Sequence, residues 1–465
     1  MAVSLEKYGL TPKLLMINVV MLIGAFITIL NQTLLTPALP SIMVDMQIDA
    51  STAQWLTTGF MLVNGVMIPV TAYLINRFTT RKLFFASMSI FTVGTALAGF
   101  STSFPMILTA RLLQAAGAGV MMPMGQTILM LTLPRQYRGL GMGIIGLVIG
   151  VAPAVGPVIS GLVVESFGWH ILFIAMVPLS LATIALAHVF LENMGETKKL
   201  ILDMPSVVLS SLGFGGLLYS FSALGSTGFN SVVLITLLIG AVSLALFVHR
   251  QLTMEEPLLK IEILKNHRFA LSVLLTMLVQ AALYVGLVLN PIYIQTIRGY
   301  GASVSGFLML PASVAMLFMS PISGRLFDKF GPRKLAVPGL CMTAICTIPL
   351  TLMDESTSLV FLSIVYMFRN IGLSMINMPL NTWGLNSLDN RVMAHGTAIG
   401  NTFRQVAGSL GTAILITVMS ITVANSADPA SIQAQIHGIN MAYAGAAVMM
   451  TVALILTILF VKNDN

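Results

Sequence analysis

The sequence predicts an all-α membrane protein of about fourteen transmembrane helices. Three observations carry that reading. Of 465 residues, 57% are hydrophobic and 8% charged, whereas soluble domains carry about 25% charge. Apolar runs of about 20 residues, enough to cross a bilayer core of roughly 30 Å, recur along the whole chain. Finally, Lys and Arg gather in alternate gaps between those runs.

The runs place spans near 14–36, 52–75, 83–100, 104–130, 139–164, 170–190, 204–224, 231–250, 269–293, 302–326, 335–353, 358–384, 395–424 and 438–461. Backbone polar groups in lipid must be satisfied internally, so each run is a helix. The opening MAVSLEKYGLTPK is too polar for a signal h-region, and the first apolar run is too long for one. It is therefore expected to remain as the first span.

With the N-terminus placed in the cytoplasm, nineteen of the 23 Lys and Arg residues fall on inside segments, among them Lys7, Lys13, Lys198, Lys199, Arg250 and Lys462. Arg298 alone falls outside, a strong positive-inside bias. Both ends are thus expected in the cytoplasm. The formal net charge of +7 is scattered over these short gaps rather than gathered on one face, so it reads as topological anchoring and not as a nucleic-acid surface. Cys341 and Cys346 share one apolar run and have no metal-ligand companions. No span carries a catalytic cluster such as His-Glu-x-x-His, and no extramembrane segment is large enough to be an enzyme. The longest connection on the basic side, 251–268, is amphipathic and is expected to lie along the membrane surface.

Two stretches repeat. Ala72-Tyr-Leu-Ile-Asn76-Arg77-Phe-Thr-Thr-Arg81-Lys82 parallels Gly324-Arg-Leu-Phe-Asp328-Lys329-Phe-Gly331-Pro-Arg333-Lys334. Each ends one span and leads into the next. Gly324 would let two helices approach, and Asp328 can cap a helix N-terminus and pair with Arg333 or a nearby basic residue. The loop thus reads as a conformational latch built from Asn76, Arg77, Arg81, Gly324, Asp328, Gly331 and Arg333. The plainer alternative is a basic loop that only sets topology. Asn76 and Thr79 replace the acid and the glycine in the first copy, which suggests an asymmetric latch.

Span 4 carries Arg111-Leu-Leu-Gln114-Ala-Ala-Gly117-Ala-Gly119, and span 5 carries GIIGLVIGVAPAVGPVISG from Gly143 to Gly161. Gly146, Gly150, Ala152, Gly156 and Ser160 would present a small face to another helix. Pro153 and Pro157 would bend the span. Gly150, Pro153, Gly156, Pro157 and Gly161 therefore read as a hinge or seal between two halves, with immobile tight packing as the alternative.

The second loop copy matches the motif found once per half in the major facilitator superfamily. Together with the span 4 and span 5 patterns and ILNQTLLTPALPSIM at 29–43, the chain resembles that superfamily's fourteen-span drug:proton antiporters, nearest the lincomycin-resistance branch of multidrug exporters. The resemblance covers essentially the whole chain. It implies two six-helix bundles, at 1–200 and 269–465, with two additional helices at 201–250 and a linker at 251–268. It also implies multidrug export by alternating access across a bacterial cell membrane, with a proton gradient as energy source and no cofactor. The expected partners are amphiphilic small molecules and the bilayer, and the chain is read as a monomer.

Three arginines, Arg111, Arg369 and Arg404, lie inside spans, while no acid sits mid-membrane. Each costs about 2.5–3.5 kcal/mol on insertion scales unless it faces a cavity or partner. Arg111 lies at the depth of Asn31 and Gln32, and these amides are its expected partners. With Gln114, Gln405, Asn290 and Asn377 they form the candidate substrate and coupling pathway. Further polar positions are Gln54, Asn64, Gln126 and Asn381, each as readily a packing residue. Such a pathway disfavours permanent cations and suits neutral, zwitterionic or anionic amphiphiles. A dedicated exporter or flippase of one endogenous lipid, metabolite or siderophore is the alternative. The titratable candidates for proton coupling are Glu165, His170, Asp203 and His395, and none stands out.

Overall fold

The computed structural model describes residues 12–194, 197, 203–227 and 230–462. Lys7, Lys198 and Lys199 lie outside them. The described residues form fourteen long α-helices with no strand: α1 (Pro12–Met46), α2 (Ala50–Arg77), α3 (Thr80–Gly99), α4 (Phe104–Thr132), α5 (Arg138–Phe167), α6 (His170–Phe190) and α7 (Met204–Thr227). There follow α8 (Ser231–Thr253), α9 (His267–Pro291), α10 (Ala302–Phe330), α11 (Pro332–Thr347), α12 (Leu359–Asn386), α13 (Met393–Ala424) and α14 (Ile432–Phe460). Every expected span is present. Thirteen are long and apolar enough across their described residues to cross a membrane, and α5 runs for 30 residues.

The largest departure is α1, which continues ten residues beyond the expected Thr36, through Pro37 and Pro40. A proline removes one backbone donor, but inside a helical bundle its neighbours re-satisfy the freed carbonyl. The extension has a use. It carries Asp45, whose Oδ2 accepts from Trp169 Nε1 at 3.1 Å and ties α1 to the start of α6.

Even numbers of antiparallel crossings bring both described chain ends to one face, here called the basic face. α1–α6 pack on one another, as do α9–α14, and the two groups meet through α5 with α10 and α2 and α4 with α13. α7 and α8 pair with each other, and α7 lies against both α2 and α13. One apolar cluster joins all three groups: Tyr73, Leu133 and Met142 from the first, Phe214 and Phe247 from the pair, and Leu388 and Met393 from the last. Its members sit toward the basic face. The linker contributes too: Leu258 and Leu259 are buried in this cluster while Glu255, Glu256 and Lys260 stay exposed.

Why α5 and α10 approach so closely is readable from their glycines. A Cβ built on Gly139 or Gly324 would strike the other's carbonyl oxygen region, and one on Gly143 would lie 3.2 Å from Gly324 Cα. Further along, Gly146 faces Ser320 and Met378, and Gly150 faces Met316. Small residues let backbones touch. Beyond Gly150 the helices part: no described atom lies within 4 Å of a Cβ built on Gly161 or Gly306, and Leu162 and Phe307 are exposed.

The expected small stripe on α5 therefore needs correcting. Ala152, Gly156 and Ser160 face α1 of the same bundle, through Thr33 Oγ1 to Ala152 O at 3.0 Å and Ser160 Oγ to Leu34 O at 2.6 Å. Helical rotation separates the two stripes: the residues at 139, 143, 146 and 150 face α10. The helix is continuous through Pro153 and Pro157, whose side chains lie outside the described residues.

Gly324→Val should push α10 off α5 at the basic face. A cysteine placed at Gln136, beside this contact, should then react faster with a membrane-impermeant maleimide, and an unchanged rate would contradict this packing.

Candidate gate and polar networks

An α-helix begins with unbonded backbone N–H groups. At the start of α5, Asp328 supplies the acceptors from the other bundle: its Oδ1 accepts from Gly139 N and its Oδ2 from Leu140 N, both at 2.8 Å. A carboxylate at a helix N-terminus also meets the positive end of the dipole. The expected pairing of Asp328 with Arg333 is not what forms. Among the described residues Asp328 makes no salt bridge within 4 Å, and its partners are the two α5 amides.

Gly331 joins α10 to α11 as a single residue at φ +80°, backbone that side chains rarely adopt. In the first copy two residues, Phe78 and Thr79, make the corresponding connection with negative φ, so no glycine is needed there. Arg81 holds the end of α6 within its own bundle, donating to Leu191 O at 2.9 Å and His188 O at 3.1 Å. Arg77 lies over Phe78, 5.7 Å from the ring centroid.

Asn76 completes a symmetrical arrangement. Its Nδ2 lies 3.2 Å from Nε2 of His395, in the first turn of α13. The last turn of the second helix of each bundle thus touches the start of the fifth helix of the other. His395 Nδ1 accepts from Lys260 N at 3.3 Å, which brings the linker to the same junction. Sequence reasoning missed three more bridges between bundles. Arg138 donates to Asn386 at 3.2 Å and Asn390 at 3.1 Å, Thr127 meets Thr397 at 2.6 Å, and Asn401 donates to Gln126 at 2.7 Å. A short 3₁₀ turn precedes both α5 and α13, at Arg135–Tyr137 and Asn390–Val392. Every one of these bridges lies toward the basic face. A cavity of about 360 Å³ beside the latch is lined by Arg135, Asp328, Lys334 and Trp383 among others.

Arg111 is buried inside the first bundle. Its NH1 donates to Asn31 Oδ1 at 2.8 Å and Gln114 Oε1 at 2.7 Å, and Nε reaches Leu56 O at 3.4 Å. The guanidinium lies 4.3 Å from the centroid of Phe60, a favourable placement over the ring face. Gln114 passes the network to Thr95 at 3.2 Å, so α1, α2, α3 and α4 all meet one cation. Gln32, the other expected partner, is half-buried and outside Arg111's hydrogen bonds. One residue along a helix turns a side chain by about 100°, so adjacent amides cannot both face it.

Arg369 on α12 plays the corresponding part in the other bundle, donating to Ala282 O at 2.5 Å and Thr347 Oγ1 at 3.2 Å. Nearby, Asn290 accepts from Tyr443 at 2.6 Å, and Asn377 donates to Gln280 at 3.3 Å. Arg404 differs, because its partner Asn401 bonds across to Gln126. Arg111 and Arg369 therefore brace single bundles, whereas Arg404, like Arg138, belongs to a network that joins them. Gln405 and Asn64 are half-buried, and the side chain of Gln54 lies outside the described residues.

Of the titratable candidates, Glu165 is exposed and His170 stacks on Trp169 at 3.6 Å while its Nε2 meets Ser101 O at 3.1 Å. Asp203 accepts from Arg250 at 2.7 and 2.8 Å, and this hydrogen-bonded pairing holds its carboxyl down to about 2. The depressed value means that the pair is intact above the ordinary carboxylate range near 4 and is lost only as pH falls towards 2.

Comparison with known proteins agrees with this geometry. Residues 21–412 match the family model described as Major Facilitator Superfamily. The chain belongs to that superfamily. It is 45% identical over 447 residues to the uncharacterized MFS-type transporter YcnB of Bacillus subtilis (strain 168), covering 96% of this chain and 95% of that one. It is 37% identical over 461 residues to the lincomycin resistance protein LmrB of the same organism, covering 97% and 95%. Such relatives agree with a multi-pass membrane transporter, on the branch of the superfamily that includes the lincomycin resistance protein. In fold it resembles the crystal structure of the human organic anion transporter MFSD10 (TETRAN), at 12% identity and TM-score 0.69, covering 96% of this chain and all of that one.

Asp328→Asn removes the negative charge and leaves a single acceptor oxygen for the two α5 amides. A hydrogen bond to a charged group is worth about 1.5–3 kcal/mol, so the closed basic face should lose roughly tenfold or more in population. The expected result is slower transport with substrate affinity retained. Equal loss of both would instead indicate misfolding.

Proposed function

We propose that this transporter exports amphiphilic small molecules by alternating access, with the bundles at 1–200 and 269–465 as the moving bodies. The observation that carries the reading is the one-sided contact between α5 and α10. Contacts at residues 139 with 324, 143 with 320 and 150 with 316 close one end, with the two helices running antiparallel. Continued along both helices, this course would bring Gly161 close to Gly306, and a Cβ built on either has no described neighbour within 4 Å. A second small-residue contact is thus prepared at the opposite face, for a state in which the basic face is open. With both ends cytoplasmic, as the distribution of basic residues supports, the state described is closed to the cytoplasm.

The substrates are neutral, zwitterionic or anionic amphiphiles, which suits buried arginines with no carboxylate beside them. Proton antiport supplies the energy by resemblance to the branch, and the membrane is that of a bacterial cell. Of the pair, α7 packs on both α2 and α13, and the linker at 251–268 ties the pair to the gate. Export or flipping of one endogenous lipid, metabolite or siderophore is the second reading, favoured by the same acid-free interior.

Two experiments test this. Purified protein in proteoliposomes with an imposed pH gradient should concentrate a neutral drug such as chloramphenicol faster than the cation ethidium, and indifference to the gradient would remove proton coupling. Separately, Gly161→Cys with Gly306→Cys, with Cys341 and Cys346 replaced by Ala, should cross-link only when the far face closes and should then arrest transport. Failure to cross-link during turnover would count against the rocking motion.

A further inference from the structure

Resting on the export reading, we infer that the network crossing between the bundles at Arg404, Asn401 and Gln126 is a recognition site for an anionic oxygen group, a carboxylate in the simplest case, on the transported molecule. A guanidinium has donors and no acceptor. Arg404 NH2 donates to Asn401 Oδ1, which settles the orientation of that amide from its hydrogen-bond network. Asn401 Nδ2 then donates to Gln126 Oε1 at 2.7 Å and to Thr397 O at 2.9 Å, which settles Gln126 in turn. The donor end of Gln126, Nε2, is left buried with no partner, and so is Arg404 NH1. Asn381, beside Gly400 on the neighbouring turn, likewise leaves Nδ2 without a partner.

The same logic recurs at Arg111. Donation to Asn31 Oδ1 leaves Asn31 Nδ2 bare, so a relay that starts at an arginine again ends in an unmet donor. Buried polar groups are almost always paired. The spans hold no acid near these atoms that could supply the acceptor. A ligand oxygen can, and a carboxylate offers several lone pairs at once. Gln126 belongs to α4 and Arg404 to α13, so an oxygen group held by both donors would touch both moving bodies. Gln126 and Arg404 are accordingly specificity-determining residues.

Equilibrium binding to the purified full-length protein in detergent tests this, with carboxyfluorescein as the anionic probe and ethidium as the cationic one. Wild type should bind the carboxylate probe at least tenfold more tightly than ethidium. Gln126→Glu keeps the side-chain shape and the bond from Asn401 but puts an acceptor where the donor stood. It should weaken carboxyfluorescein at least tenfold and strengthen ethidium. Gln126→Met, which removes the donor without adding charge, should weaken carboxyfluorescein and leave ethidium unchanged, and it serves if the glutamate variant does not fold. The inference is overturned if carboxyfluorescein affinity stays within twofold in a folded variant, or if wild type prefers ethidium. Neither result touches gradient-driven transport of chloramphenicol, so the export reading stands or falls separately.

Discussion

A carboxylate from one bundle completes the first turn of a helix in the other. Asp328 accepts from both Gly139 N and Leu140 N, and these amides have no intrahelical acceptor because of where they stand in α5. The contact is possible only because Gly139 and Gly324 lack side chains at the point of closest approach. Position then follows for what lies nearby: Arg138 is aimed at Asn386 and Asn390, and the Thr127–Thr397 and Gln126–Asn401 bridges are brought into reach. The two bundles share no covalent reason to close at this face beyond their linker. They close because the start of α5 offers unsatisfied amides to Asp328 and the start of α13 offers the His395 ring to Asn76.

The buried arginines divide the labour differently from the loops. Arg111 and Arg369 each draw on groups of a single bundle, so each braces one bundle from within. A cation bonded to α1, α2 and α4 at once penalises any shear among those helices, since a buried charge that loses a partner costs several kcal/mol. Arg404, one bond removed from Gln126, belongs to the boundary. Rigidity within bundles and exchangeable bonds between them are what a rocking motion needs.

α7 and α8 are joined to the gate by hydrogen bonds as well as by packing. Asp203 pairs with Arg250 and accepts from Ser206, Ser206 accepts from Gln251 at 2.6 Å, and Gln251 Oε1 accepts from Leu259 N at 3.0 Å. The next residue, Lys260, donates its N–H to His395. The middle of the linker is thereby held on two sides, to α8 through Leu259 and to α13 through Lys260, with Leu258 and Leu259 buried in the cluster that joins the three groups. An amphipathic strip along the surface accounts for its exposed charges but not for that insertion.

Hydropathy by itself determined the number of helices, because lipid admits no other solution for long apolar runs. The prolines of α1 misled only its end, since proline's cost depends on neighbours that a linear sequence does not reveal. The loop repeat marked Asp328, Asn76 and Gly331, and depth along the helices paired Arg111 with Asn31. Capping of a helix start by Asp328 was legible from its motif, but that the helix is α5 of the other bundle was decided by tertiary structure. Which stripe of α5 faces α10, which amide turns toward Arg111, and which arginine reaches the boundary all depend on helix rotation within the bundle. That rotation is set by packing from several sides at once, and spacing along one helix cannot supply it.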